Sequence, residues 1–266
     1  VNLRENLIES HNSLDDISDL AGSYHNLGYL YESMQRYKES EIYYKKSMGL
    51  RETLRESRNS FTDISNLAGS YNNLGTLYYS MQRREDSEIY QKKAINLHEE
   101  LKKYRNSLND ISDLARSYNN LGNLYQSMQK YEDSEIYHRK AIALYEELKK
   151  SRNSLKDISD LAISYIRLGS LYKLIQNYEE AESHYKKAVA LYEELKKSRN
   201  SIKDKSGLAT SYNNIGTLYY SIQRHEDSEI YFKKAIELYE ELKKSRNSLD
   251  DISDLAKSYD NQGILY

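Results

Sequence analysis

The chain copies itself at a fixed interval. A Leu-Ala-x-Ser-Tyr block begins at Leu20, Leu67, Leu114, Leu161, Leu208 and Leu255, each 47 residues after the last. A period between about 20 and 50 residues marks an array of small units, each unable to bury its apolar face alone and stable only when stacked on its neighbours. The period sets full units at 20–66, 67–113, 114–160, 161–207 and 208–254, with partial units at 1–19 and 255–266. Residues 1–19 overlay the tail of a unit, with Leu3 on Leu97 and Leu7 on Leu101. The whole of 1–266 therefore reads as one solenoid cut mid-pattern at both ends, a segment of a longer protein. Composition agrees, since 38% hydrophobic against 30% charged is lean for one deep core and suits a thin, elongated one.

Inside one unit the apolar residues keep helical spacing twice. Ile64, Leu67, Tyr71, Leu74, Leu77, Tyr78 and Met81 share one face of a first helix, and Tyr90, Ala94, Leu97 and Leu101 one face of a second. Glu99 and Lys103 form an i,i+4 pair on the outer side of the second. The polar stretch from Gln82 to Asp86 is the turn between them, and Ser107 followed by Asp110 is an N-cap signal for the next unit. These features predict an all-α fold, a right-handed α-solenoid of stacked antiparallel helical hairpins, with helices of about 18 to 20 residues and roughly 27–30 Å.

Small residues mark where the helices approach. Gly28, Gly75, Gly122, Gly169, Gly216 and Gly263 recur inside the first helix, where glycine costs about 1 kcal/mol relative to alanine, so close packing must compensate. Ala94, Ala141, Ala188 and Ala235 serve likewise in the second helix, with Ser40, Ser87, Ser134, Ala181 and Ser228 near its start. Most of the 28 tyrosines follow the period and read as core residues whose hydroxyls reach an edge.

Charge and residue inventory remove several functions. With 39 basic and 41 acidic residues there is no overall basic field for nucleic acid or an anionic membrane, so neither is an expected partner. The absence of cysteine removes disulfides, thiolate metal sites and a Cys nucleophile. The compartment stays open, with the cytoplasm the default expectation. The histidines at 11, 25, 98, 138, 184 and 225 fall singly and read as incidental surface residues. No enzyme activity, metal or cofactor is expected.

Against this regular background stand the pairs Asn72-Asn73, Asn119-Asn120 and Asn213-Asn214, helix-unfavourable residues placed inside a helix. The helical wheel turns Gly69, Asn72, Asn73, Thr76, Tyr79 and Ser80 to solvent. An amide side chain carries both donor and acceptor and matches a peptide bond without reading side-chain identity. Asn72, Asn119, Asn213, Tyr79 and Tyr220 are then surface positions able to tune a ligand. The unit after Leu161 departs from the others, with Ile166, Arg167, Lys173 and Leu174 forming an apolar and basic patch suited to an acidic or amphipathic ligand.

The stretch from Tyr71 to Tyr78 with Ser87 and Ala94 resembles the tetratricopeptide repeat, through its Leu74-Gly75, Tyr78 and Ala94 pattern in every unit. It departs from the family in its Gln at the turn (Gln35, Gln82, Gln129, Gln176, Gln223), in Glu99 and Glu146 where a Pro is usual, and in a 47-residue unit where 34 is ordinary. In these respects it is similar to the long-unit kinesin light chain branch. The resemblance implies an interaction scaffold whose first helices line a concave groove that takes an extended peptide or partner helix. It places an asparagine ladder just before the Leu-Gly, here Asn26, Asn73, Asn120, Asn214 and Asn261. The family's carboxylate clamp is not reproduced, only Arg167 and Lys257 resembling parts of it, so a chaperone C-terminal tail is not the expected ligand. The alternative reading is a structural spacer or a self-assembling repeat array, engineered or recently duplicated, without a selected peptide ligand, its terminal half-repeats open to end-to-end self-association.

Overall fold

The computed structural model describes residues 13–246 and 249–263. Among them are eleven helices and no strand: α1 (Leu14–Ser33), α2 (Tyr37–Ser57), α3 (Phe61–Ser80), α4 (Arg84–Tyr104), α5 (Leu108–Ser127), α6 (Tyr131–Ser151), α7 (Leu155–Leu174), α8 (Tyr178–Ser198), α9 (Ile202–Ser221), α10 (His225–Arg246) and α11 (Leu249–Gly263). Odd-numbered helices are the first of each repeat (A) and even-numbered ones the second (B). The overlay of residues 1–12 on a preceding unit lies outside the described residues.

The chain divides into two compact units, residues 1–130 and 131–266. In the first, α1 packs on α2 and α3 on α4 as antiparallel hairpins, while α2 meets α3 and α4 meets α5 across the repeat boundary. In the second, α7 and α8 form one hairpin and α9 and α10 the next, with α6 against α7, α8 against α9 and α10 against α11. Each unit is thus a stack in which every hairpin leans on the next, as the apolar periodicity predicts.

Two short motifs hold the connections. Between hairpins the chain reads Arg-Asn-Ser-x-x-Asp. Asn59, Asn106, Asn153 and Asn200 turn the backbone at φ of 48°, 50°, 47° and 48°, the left-handed region that asparagine tolerates better than most residues. The following serine caps the next A helix: Ser60, Ser107, Ser154 and Ser201 accept from the N–H of Asp63, Asp110, Asp157 and Asp204. The arginine closes the motif with two charge-assisted bonds to that same carboxylate. Arg58 donates to both oxygens of Asp63 at 2.9 and 2.8 Å, Arg152 to Asp157 at 2.8 and 2.7 Å, and Arg199 to Asp204 at 2.9 and 2.7 Å. Arg105 grips Asp110 in the same way. The four carboxylates are buried, and each ends with an ionic partner and a capped helix.

Within hairpins the turn residue is glutamine at positive φ, from 58° at Gln35 to 62° at Gln176. The chain therefore carries the left-handed turn that glycine serves in the resembled family, with a side chain in place. In α3, Arg83 N–H returns to Tyr78 O at 2.9 Å, closing the helix end across Gln82.

Leu67, Leu74 and Leu77 of α3 are almost wholly buried, as the spacing predicts: Leu67 packs with Ala94, Leu97 and Leu101 of α4, and Leu74 and Leu77 with Tyr44 of α2 and Tyr78. Full burial of each leucine contributes about 1.5–3 kcal/mol. The close approach falls at four of the glycines: Tyr44 lies against Gly28, Gln91 against Gly75, Tyr185 against Gly169 and Phe232 against Gly216, whereas Gly263 has nothing within 4 Å of the place a Cβ would take. Beside three of them a serine hydroxyl bonds the glycine carbonyl, Ser40 to Gly28, Ser87 to Gly75 and Ser228 to Gly216 at 2.8, 2.7 and 2.8 Å. Ser40, Ser87 and Ser228 near the start of α2, α4 and α10 are therefore hydrogen-bonding as well as small, while Ala181 of α8 is only small.

Two local expectations are corrected. Glu99 accepts the Tyr118 hydroxyl at 2.6 Å, while the Lys103 ammonium lies over Tyr104. The i,i+4 pairs sit instead near the B-helix start, as in Glu41 with Lys45 and Glu88 with Lys92. The histidines are not all on the surface either: His98, His138 and His184 are 2%, 0% and 7% exposed. They replace other core residues of the repeat, His138 standing where Gln91 and Tyr185 stand in neighbouring units.

Candidate protein-interaction surface

The two asparagines of a pair lie in different settings. Asn72 and Asn119 are 7% and 3% exposed, and Asn213 is half-buried. Asn72 Nδ2 donates to Ser117 Oγ on the next A helix at 3.0 Å, and Asn213 repeats this to Ser258 at 2.7 Å. The wheel-based placement of Asn72 in solvent is thus corrected, because the neighbouring A helix covers it. Its amide holds successive hairpins in register. Within residues 1–130 the same amide also accepts from Asn120 Nδ2 at 3.5 Å, and Asn73 Nδ2 lies 3.5 Å from His25 Nδ1. Burial, with Arg51 nearby, holds the His25 imidazole below its ordinary range.

The second asparagines are more open. Asn26 is exposed, and Asn73, Asn120, Asn214 and Asn261 are half-buried. Tyr79 and Tyr220 are 41% and 37% exposed, with Thr76 and Ser80 also open around α3. No distance brings the five ladder positions to a common ligand.

In α7 the interruption changes this chemistry. Ile166 cannot make the bond that Asn72 and Asn213 make, and Ser211, 45 positions on, keeps the own-helix bond that Ser117 and Ser258 also make, here to Gly207 O at 2.8 Å. Arg167 is half-buried near Tyr145, Asp160 and Tyr192, and burial pulls its guanidinium below the usual arginine range. Lys173 is half-buried too and its ammonium is lowered by burial. Neither cation has a hydrogen-bonded or ion-paired carboxylate among the described residues. Leu174, beside Lys173, is 51% exposed.

The opposite side of the A helices carries a ladder the sequence reading missed. Tyr71, Tyr118, Tyr165, Tyr212 and Tyr259 each donate a hydroxyl to a B-helix glutamate 19 positions earlier. Tyr78, Tyr125, Tyr172 and Tyr219 do so to a glutamate 37 positions earlier. The constant offset of Tyr and Glu was the available signal. Among the described residues no cluster of His, Asp and Glu has metal-binding geometry, and no helix is long and apolar enough to cross a membrane.

Fold and surface together define a helical-hairpin repeat protein. The tetratricopeptide repeat model matches residues 66–147, 113–194 and 160–241, and a second model of that repeat matches 21–54, so the chain belongs to the tetratricopeptide repeat family. Among solved structures it is similar to BtubC (BKLC) from P. vanneervenii, at 18% identity over 89% of this chain and 85% of that one, with a TM-score of 0.70. The apo form of RapI is 15% identical over 90% and 82%, with a TM-score of 0.64. A putative kinesin light chain of Podosopora anserina with nearly identical TPR-like repeats is 14% identical over 87% and 99%, with a TM-score of 0.61. The comparison with curated proteins gives no match.

Proposed function

We propose that this chain is a non-enzymatic protein-interaction scaffold, and that its A-helix side takes an extended peptide or a partner helix. The observation that carries this reading is the α7 patch: Arg167 and Lys173, half-buried and without a bonded carboxylate, beside Ile166 and exposed Leu174. A cation held partly out of water gains most from an acidic group brought by a ligand, and the apolar neighbours suit an amphipathic one. The ladder residues Asn26, Asn73, Asn120, Asn214 and Asn261 would grip a ligand backbone, with Tyr79 and Tyr220 tuning its side chains. In this reading 1–266 works as one array, with the unit boundaries given by the 47-residue period. A preformed helical surface leaves most of the ordering cost with the ligand.

A random-peptide display selection against the whole chain is the test. Enriched peptides should be acidic or amphipathic, and R167A/K173A should weaken them by roughly tenfold, or about 1.4 kcal/mol. Selected peptides that bind equally to R167A/K173A and to N73A/N120A/N214A would remove the A-helix side as the site.

A further inference from the structure

On the B-helix side, within residues 131–266, lies a recurring notch. One form of it, about 820 Å³, opens between α6 and α8 over α7. Leu161, Tyr165 and Leu191 give it apolar walls, and Lys149, Lys150 and Lys187 stand at its rim with Glu146 and Glu194. The space is within the ordinary size of a ligand pocket and takes a large side chain.

The rim is unevenly paired. Lys149 donates to Glu194 at 2.7 Å, and Glu146 accepts the Tyr165 hydroxyl. Lys150 and Lys187 are exposed and have no bonded carboxylate among the described residues, and the Lys187 ammonium lies 5.4 Å from the Tyr165 ring centroid. The arrangement recurs with the period. Lys196, Lys197, Leu208 and Tyr212 line a second notch of about 500 Å³, and Lys243, Lys244, Leu255 and Tyr259 a third of about 340 Å³. At the second, Glu241 is bonded by Lys205 at 3.0 Å, with Lys196 a charged neighbour of the same carboxylate. A corresponding notch in the first unit keeps the rim pair, Arg55 with Glu100 at 2.9 Å, but has Glu56 where Lys150 stands.

We propose that the notches of residues 131–266 form a second docking surface, separate from the A-helix side, for an acidic protein segment that sets large apolar side chains into them. Charge complementarity selects the occupant: at the largest of these notches the exposed Lys150 and Lys187, neither with a bonded carboxylate among the described residues, flank an apolar recess, and the Lys187 ammonium stands over the Tyr165 ring. A flat polyanion would use the rim and leave the recess empty.

The probe is a short fluorescein-labelled peptide of Asp and Glu around one Trp, titrated against the whole chain at low salt and read by anisotropy. Two comparison peptides replace Trp by Ser, or Asp and Glu by Asn and Gln. The parent should bind best, each comparison peptide should lose roughly tenfold, and K150E/K187E should lose as much again. Both lysines are exposed, so the variant should keep the parent circular dichroism and melting profile, and K150Q/K187Q gives a milder version if it does not. R167A should leave binding unchanged, which keeps this outcome distinct from the A-helix reading. Equal binding to K150E/K187E, equal binding of the Trp-free peptide, or loss confined to R167A would overturn the proposal. So would displacement by an equally charged oligonucleotide that binds as tightly, since that reassigns the rim to a general polyanion site.

Discussion

The Tyr78 hydroxyl on α3 donates to Glu41 on α2 at 2.8 Å, joining the A helix of one repeat to the B helix of the repeat before it. Tyr78 is 1% exposed, so its ring fills the core while its oxygen reaches the edge. Glu41 also pairs with Lys45 at 2.7 Å and Arg83 at 3.3 Å, and the Arg83 guanidinium lies 4.3 Å over the Tyr78 ring. One tyrosine thus combines apolar burial, a bond to a charged acceptor and a cation stacked on its face. Burial pushes the Glu41 carboxyl up, but Lys45 and Tyr78 together bring it below its ordinary value. Because the same geometry recurs, the repeat interface is specified by directional bonds as well as by leucine packing.

Removing that bond should loosen the joint between neighbouring hairpins. Y78F should lower stability by about 1–2 kcal/mol, since a hydrogen bond to a charged group is lost while the ring remains. A double-mutant cycle with E41Q, read from urea unfolding, should give a coupling of about 0.5–2 kcal/mol. Coupling indistinguishable from zero would mean that the leucines alone set the interface.

Glycines within the same kind of helix should respond in opposite directions. A Cβ on Gly216 would come within 2.6 Å of the Phe232 ring, and that ring is 1% exposed with nowhere to move. Gly69, in the interior of α3, has nothing within 4 Å of the place a Cβ would take. G216A should therefore cost about 1–3 kcal/mol through overpacking. G69A should gain roughly 0.5–1 kcal/mol by restricting the unfolded chain. Equal shifts in melting temperature for the two variants would contradict the close-approach account.

The hairpins were legible in the sequence because apolar spacing, cap and period all agree on them. Leu67, Leu74, Ala94 and Leu101 are buried where a single-helix wheel puts them. The wheel failed at Asn72 for a physical reason: in a stack an A helix meets its own B helix, the preceding B helix and the neighbouring A helix, so more than one side is covered. Ser117, a small hydroxyl residue kept in every Leu-Ala-x-Ser-Tyr block, was the visible sign of that second contact. The buried histidines were missed because each was judged singly. Alignment by the period puts His184 over Tyr137, which is half-buried, and His138 over Gln91, which is buried. The notches were not legible at all, since they depend on how far apart successive B helices sit.

Acid should weaken this fold in two stages. Burial lowers the imidazoles of His98 and His184 from 6.5 to about 4, and burial together with Arg167 lowers His138 to about 3. The unfolded chain then binds more protons than the folded one below about pH 6.5, so stability is full above that value and falls as the pH drops toward 4. Each buried imidazole contributes on the order of 2 kcal/mol to that loss. A second stage follows from the interhairpin carboxylates. The bonds from Arg58 set Asp63 at about 2, and at Asp110 burial is outweighed by Arg105 and Ser107, again giving about 2 in place of 3.8. Their stabilisation is present above about pH 3.8 and is lost as the pH falls toward 2. Urea midpoints measured from pH 8 to 2 should be flat at first and then decline below about 6.5. H138Q/H184Y borrows the residues of equivalent repeat positions, Gln91 and Tyr137, and should reduce the first decline while leaving the carboxylate stage in place. Parallel declines in parent and variant from pH 6.5 to 4 would show that the buried histidines are not its cause.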